Sequence, residues 1–257
     1  MALAERINDS KQKIDKVYIV IGASSGIAQA TINTLIKNKQ HLIIAISRRF
    51  HKQQNERYKK CNNIIEVTCD YSCSSIERIV SQISATNLVI DVIYLFNGML
   101  HNESIKPEKQ LQQFNAEQFI EVLSVNTVVP MQWLSVLHRL LTKDSDTYIV
   151  TLSARVGSIE DNRLGGWYSY RASKAALNML IKTAAIEYKR HAKHVKLIAF
   201  HPGTTDTHLS KPFQNNVPEG KLFTTEFVGH QLGKIKQEWT SGKNIGFIDW
   251  QYKDIKW

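Results

Sequence analysis

The strongest constraint on the fold is the run Val17-Tyr18-Ile19-Val20-Ile21, which is continuously apolar, rich in β-branched side chains, and stops at a glycine, Gly22. A strand with no polar face must be covered on both sides, which is the situation in a parallel sheet. The rest of the chain therefore has to supply helices for two faces. Gly22-Ala23-Ser24-Ser25-Gly26-Ile27-Ala28 follows and leads into a helical pattern predicted to reach about Asn38. Strand, glycine-rich turn and helix in that order suit a dinucleotide phosphate: glycines allow close backbone approach, and the helix N-terminus offers unpaired N–H groups at the positive end of its dipole.

The same alternation continues. Further strands are predicted over residues 42–46, 64–69, 88–96, 147–152, 195–200 and 245–248, with helices over 74–85, 116–141, 167–192 and 226–239 between them. Ser74 is the expected cap of the second helix, Asn115-Ala116-Glu117-Gln118 reads as a capping box, and Pro130 predicts a kink in a helix that also carries a polar interruption, Asn126. Residues 204–225, with Pro212 and Pro218, read as a loop placed after a strand, a candidate lid. Strands alternating with helices so regularly define an α/β fold, a Rossmann-type doubly wound parallel sheet of about seven strands flanked by helices. At 257 residues, with no linker, repeat or low-complexity tract, one domain over residues 1–257 is expected.

Composition matters at three points. The net charge of +10 comes from 33 Lys+Arg against 23 Asp+Glu. The basic residues are scattered and the densest cluster, Arg57-Tyr58-Lys59-Lys60, is short, so a nucleic-acid or membrane surface is not indicated, whereas a phosphate-bearing cofactor fits. Cys61, Cys69 and Cys73 have neither disulfide nor zinc-ligand spacing, so reduced thiols and no metal site are expected. The first sixteen residues are polar and no apolar run approaches membrane-spanning length, so a soluble cytoplasmic protein is expected.

Ser47-Arg48-Arg49 ends the second strand without an acidic residue. An acid there would bind a ribose 2′-hydroxyl, whereas arginine accommodates a 2′-phosphate, so Arg48 predicts NADP(H) over NAD(H). Tyr170 and Lys174 lie four apart within Trp167-Tyr168-Ser169-Tyr170-Arg171-Ala172-Ser173-Lys174. On a helix they share a face, and an ammonium near a phenol favours the phenolate, which equips the hydroxyl for proton transfer. Tyr252 and Lys256 have the same separation at the C-terminus and read as a chance pair.

Taken together the motifs resemble the short-chain dehydrogenase/reductase family across essentially the whole chain. The stretches Ser153-Ala154-Arg155-Val156-Gly157-Ser158-Ile159 and Gly165-Gly166-Trp167-Tyr168-Ser169-Tyr170 are most similar to its C-factor and sniffer-type carbonyl reductases. The resemblance implies cofactor contacts from Gly22, Ser24, Ser25, Gly26 and Ile27, then Arg48, Asp70, Tyr71, Asn97 and Gly98, then Tyr170, Lys174, Pro202, Gly203, Thr205 and Thr207. Asp70 would meet the adenine and Thr207 the nicotinamide end. It implies Tyr170 as the proton donor to a carbonyl oxygen, Lys174 lowering the tyrosine pKa and holding the nicotinamide ribose, and Asn126 holding a water. It also implies a small-molecule carbonyl/alcohol substrate and a homodimer or homotetramer built on the helices around Asn126 and Lys174.

The sequence departs from that pattern at four places. Ala28 stands for the third glycine, Ile21 for the threonine before the first, and Leu95-Phe96-Asn97-Gly98 for the usual Asn-Asn-Ala-Gly. Counting back from Gly157, Ala154 occupies the catalytic serine position, with Ser153 before it and Ser158 after the glycine. Ser153 is the candidate to replace the missing hydroxyl. Without a replacement, the chain would be a weak or inactive NADP(H)-binding sensor. Arg155, Arg163 and Arg171 flank this region and could attract an anionic substrate, Trp167 and Phe213 could wall an apolar pocket, and His201 reads as structural.

Overall fold

The computed structural model describes residues 3–10, 14–50, 56, 58 and 60–257. In chain order the main elements are α1 (Leu3–Ser10), β1 (Lys16–Ile21), α2 (Gly26–Leu35), β2 (His41–Ser47), β3 (Ile64–Thr68), α3 (Cys73–Ser84) and β4 (Val92–Leu95). There follow α4 (Ala116–Leu123), α5 (Val129–Leu137), β5 (Tyr148–Leu152), α6 (Tyr168–His191) and β6 (Lys196–His201). The chain closes with β7 (Thr204–Thr205), β8 (Leu222–Phe223), α7 (Thr225–Gly233), α8 (Ile235–Glu238) and β9 (Ile245–Asp249).

Seven strands form one parallel sheet in the order β3-β2-β1-β4-β5-β6-β9. The order reverses between β1 and β4, and the crevice at the carboxyl ends of those strands is where such sheets bind ligands. Alternate residues of each strand feed two cores. Ile19, Ile21, Leu42, Ile44, Ile93, Ile149 and Leu197 pack with Trp133, Leu137, Leu177 and Ile181 on one face. Tyr18, Val20, Ile43, Tyr94, Val150 and Ile198 pack with Ile32, Val228 and Leu232 on the other. Burial on both sides explains why these strands read as unbroken apolar runs.

The expected alternation is present, with shifts at particular boundaries. α3 starts one residue early, capped by Ser72 rather than Ser74, because the Ser72 hydroxyl accepts the Ser75 N–H. β4 spans four residues rather than nine, since Leu88 to Asp91 run outside the ladder. Pro130 does not simply kink the helix: Ser124–Val128 forms a π-helical turn between α4 and α5, with Pro130 in the first turn of α5. A proline has no N–H for the carbonyl four residues before it, here that of Asn126, so the ladder widens where the donor is missing.

One helical stretch among the described residues, Ala116–Leu140, is long and apolar enough by length and composition to cross a membrane, contrary to the expectation that none would be. The π turn joins two helices that cover one sheet face, and Val122, Asn126, Trp133, Leu134 and Leu137 are buried there. Residues 204–225 are more ordered than a featureless loop. β7 pairs with β8, and Ser210 donates to the Thr205 carbonyl at 2.6 Å. Tyr252 lies in a left-handed turn and its hydroxyl donates to Gln231, while Lys256 pairs with Glu160, so this Tyr/Lys pair shares no helix face. Of the basic cluster, Tyr58 is buried and Lys60 exposed, and Arg57 and Lys59 lie outside the described residues.

Candidate active site

A cavity of about 490 Å3 opens at the carboxyl ends of the central strands. Of the residues expected there, Ser24, Ser25, Gly26 and Ile27 line it, as do Asn97, Gly98, Ser153, Tyr170 and Lys174. Pro202, Gly203, Thr205 and Thr207 do so too. Gly22, Arg48, Asp70, Tyr71 and Asn126 are not among its lining residues.

The dinucleotide half follows from local backbone chemistry. Gly22 adopts φ +79°, and a Cβ there would lie 3.0 Å from the Phe96 carbonyl carbon. Any other residue would be strained and would push β1 away from β4. Ser25 caps α2 by accepting the Ala28 N–H at 3.3 Å, and the first intrahelical bond runs from the Gln29 amide to the Ser25 carbonyl. The amides of Gly26 and Ile27 precede that bond and face the cavity end of the helix. The Ser24 hydroxyl is fixed by the Ser47 hydroxyl at 2.9 Å. Asn97 is buried, and its Oδ1 has no hydrogen-bond partner, so an acceptor stands ready on the cavity wall. Close glycines, unpaired amides and a buried orphan acceptor fit a nucleotide's phosphates and ribose.

Arg48 is exposed at the end of β2 and its guanidinium lies 5.9 Å from the centre of the Tyr71 ring. Tyr71 is held at φ +67°, and burial raises its hydroxyl above the ordinary phenol range against a hydrogen bond from Asn97. Asp70, expected to meet adenine, is turned toward α3. Its Oδ1 accepts the Ser72 amide at 2.9 Å and the Ser72 hydroxyl at 2.8 Å, and these bonds, with Ser75, hold its carboxyl down at about 2. Ala28 is fully buried against the sheet, and Ile21 packs into the core, so the first two departures are absorbed by packing.

The reacting half is carried by α6. Lys174 is buried, donates to the Leu152 carbonyl at 2.8 Å, and lies 5.9 Å from the Tyr170 ring centre. Burial pushes Tyr170 up to about 12 and pulls Lys174 down to about 8. Desolvation of each group outweighs their attraction at this distance.

Asn126 is fully buried rather than a surface residue. Its Nδ2 donates to the Met99 carbonyl at 2.8 Å and to the Ser173 hydroxyl at 3.0 Å, and its Oδ1 accepts the Met99 N–H at 2.6 Å. The side chain therefore staples the loop after β4 to α6.

At the serine position the methyl of Ala154 faces the cavity. Ser153 lines it too, but its hydroxyl donates to Asn178 Oδ1 at 2.6 Å, and Ser158 is buried and accepts the Asp161 N–H at 3.1 Å. Asn178 in turn donates to the Gly157 carbonyl at 3.3 Å. A Cβ at Gly157 would lie 2.8 Å from the Lys174 Cβ, so the turn after β5 sits directly on α6.

The three arginines are placed differently. Arg155 lines the cavity but pairs with Asp161 at 3.3 Å and Asp249 at 3.4 Å. Arg171 donates to the carbonyls of Gly165 and Gly166, and Arg163 is exposed beside a separate cleft with Lys256. His201 lines the cavity as a neutral ring, held near 3 by burial and by Arg155, and stacks edge-on with Trp250. The cysteines are free thiols, and no cluster of three or more metal-ligating side chains occurs among the described residues.

Sequence reasoning missed Glu108. Trp167, at the N-cap of α6, has no side-chain cap and sits at φ +53°. Glu108, 3% exposed, substitutes from a distant loop: its carboxylate accepts the Ser169 amide at 3.2 Å and the Ser169 hydroxyl, and its carbonyl accepts the Trp167 N–H. Sixty residues of separation left no local signal for this cap.

A doubly wound sheet with a phosphate-binding turn and a buried Tyr/Lys pair in one cavity defines a nicotinamide-dependent oxidoreductase. Residues 16–218 match the family described as short chain dehydrogenase. The chain belongs to that family. It is 26% identical over 254 residues to a benzil reductase ((S)-benzoin forming) of Bacillus cereus, covering 90% of this chain and 98% of that one. Its fold superposes on the carbonyl reductase Sniffer of D. melanogaster with a TM-score of 0.78 at 19% identity, covering 95% and 100% of the two chains. An NADPH-bound carbonyl reductase from chicken fatty liver gives 0.78 at 20% identity, covering 100% and 99%.

Proposed function

We propose that this protein interconverts a small-molecule carbonyl and its alcohol with NADP(H), using Tyr170 as the general acid/base. The observation that carries the reading is the position of Tyr170 and Lys174 in one cavity with the glycine turn. A bound nicotinamide would supply or take the hydride. Gly26, Ile27, Ser24 and Asn97 would hold the dinucleotide, and Arg48 would meet a 2′-phosphate, which favours NADP(H) over NAD(H). Tyr170 gives the proton to the carbonyl oxygen. Lys174 would hold the nicotinamide ribose and favour ionisation of the Tyr170 phenol, and Asn126 would hold a water behind it.

The reading extends to the surroundings. The protein works in the cytoplasm as a homodimer or homotetramer paired through α4 and α6.

The test is NADPH oxidation with aldehydes, ketones and quinones, NADH serving as the comparison cofactor. Turnover favouring NADPH, falling at least a hundredfold in Tyr170→Phe with cofactor affinity kept, is expected. One observation favours a second reading, a cofactor-binding sensor with little turnover: the hydroxyl of Ser153, which lines the cavity at the turn after β5, is committed to Asn178. Tight NADPH binding with no tyrosine-dependent turnover on the panel would establish it.

A further inference from the structure

Arg48 stands exposed at the end of β2, and no carboxylate among the described residues pairs with it. A long cationic side chain in that setting samples many rotamers, and ordering it on a ligand costs conformational entropy unless something already holds it. The contact it has is aromatic. Its guanidinium lies over the Tyr71 ring at 5.9 Å from the ring centre, within cation–π reach.

Tyr71 is kept in place at a backbone cost. It holds φ +67°, a left-handed conformation that favours glycine, and a bulky residue persists there only where its surroundings enforce it. The bonds on either side do so: the Tyr71 N–H donates to Cys69 Sγ at 3.4 Å, and the Ser72 N–H to Asp70 Oδ1 at 2.9 Å. The ring is anchored as well. It stands edge-on to the fully buried Trp133 at 6.2 Å between centres, and its hydroxyl faces the Asn97 side chain and the Gly22 backbone. One aromatic plate, tied to the core, thus spans from the tip of β2 to the glycine turn.

Resting on the reading of Arg48 as the 2′-phosphate contact, we propose that Tyr71 is a positioning residue for cofactor choice: its ring holds the Arg48 guanidinium in place, so that NADP(H) is bound over NAD(H). Tyr71 acts on the 2′-phosphate through Arg48. Asp70 serves the same end by pinning the left-handed turn that carries the ring.

The experiment titrates the whole protein by isothermal calorimetry with NADPH and NADH, and with adenosine 2′,5′-bisphosphate and adenosine 5′-monophosphate, which carry the same contrast without a nicotinamide. The variants are Tyr71→Leu, Tyr71→Phe and Arg48→Ala, the last alone and combined with Tyr71→Leu. The wild type is expected to favour each 2′-phosphorylated ligand. Tyr71→Leu should reduce that preference about twofold to fivefold, the size of an exposed cation–π contact, with the Kd for NADH unchanged. Tyr71→Phe keeps the ring and should retain the preference. Arg48→Ala should then cost less in the Tyr71→Leu background than in the wild type. A merely structural role would weaken all four ligands alike. That result, or a preference unmoved by Tyr71→Leu while Arg48→Ala removes it, would overturn the proposal and leave Arg48 in its role. A wild type that binds both members of each pair equally would remove Arg48 as the 2′-phosphate contact, and the proposal with it. Should Tyr71→Leu lose its packing on Trp133 and fail to fold, Tyr71→Met carries the same test, since its flexible chain fills the space without a ring.

Discussion

Under the proposed reductase reading, Ala154 is the residue that bears most on rate. A hydroxyl donor at a developing oxyanion contributes about two to three orders of magnitude in rate, and here the position carries a methyl group with the neighbouring serines turned to other partners. Ala154→Ser should therefore raise kcat by about tenfold or more on any carbonyl the protein accepts, read in steady-state NADPH oxidation. Lys174 gives a second expectation. Its folded pKa of about 8 lies below the ordinary lysine value of 10.5, so between those values the unfolded chain binds a proton that the native protein does not. Stability must then rise with pH across that window, and denaturant unfolding of Lys174→Met should lack this rise. The Tyr/Lys pair and the glycine turn were legible because chemistry fixed their spacing. The commitment of Ser153 was not, since its partner is Asn178, twenty-five residues on and visible only in three dimensions.

Among the elements, α6 does most to assemble the site, and two of its supports come from far away in the chain. Asn126 and Thr127 in the π turn bind Ser173, through its hydroxyl at 3.0 Å and its carbonyl at 2.7 Å. Glu108 caps the helix start. Removing that carboxylate leaves the Ser169 amide and hydroxyl buried and unpaired, so Glu108→Ala should cost about 2 kcal/mol in denaturant unfolding, and Glu108→Gln, still an acceptor, should recover most of it. Apolar runs made the strands readable in the sequence, and Asn115 caps α4 as its pattern suggested. The π turn was not readable, because a proline predicts a missing donor but not how the ladder closes around it.

Across the whole molecule, two faces of one sheet account for the burial, and for that reason the order of strands and helices followed from apolar runs alone. Surface contacts between copies are a different matter. Met179 and Ile186 on α6 are 61% and 59% exposed, and Ile120 on α4 is 60% exposed. A helix pair showing so much hydrocarbon is suited to a second copy. Light scattering should give a dimer or larger, and Ile186→Glu should shift it toward monomer; a monomeric wild type would contradict the assembly. One last consequence comes from Gly157. With that glycine pressed against Lys174, and Asn178 bridging Ser153 to it, the turn after β5 and the middle of α6 are tied at three points. A hydroxyl wanted at this turn is therefore more simply installed by exchanging atoms at a fixed position than by shifting the chain.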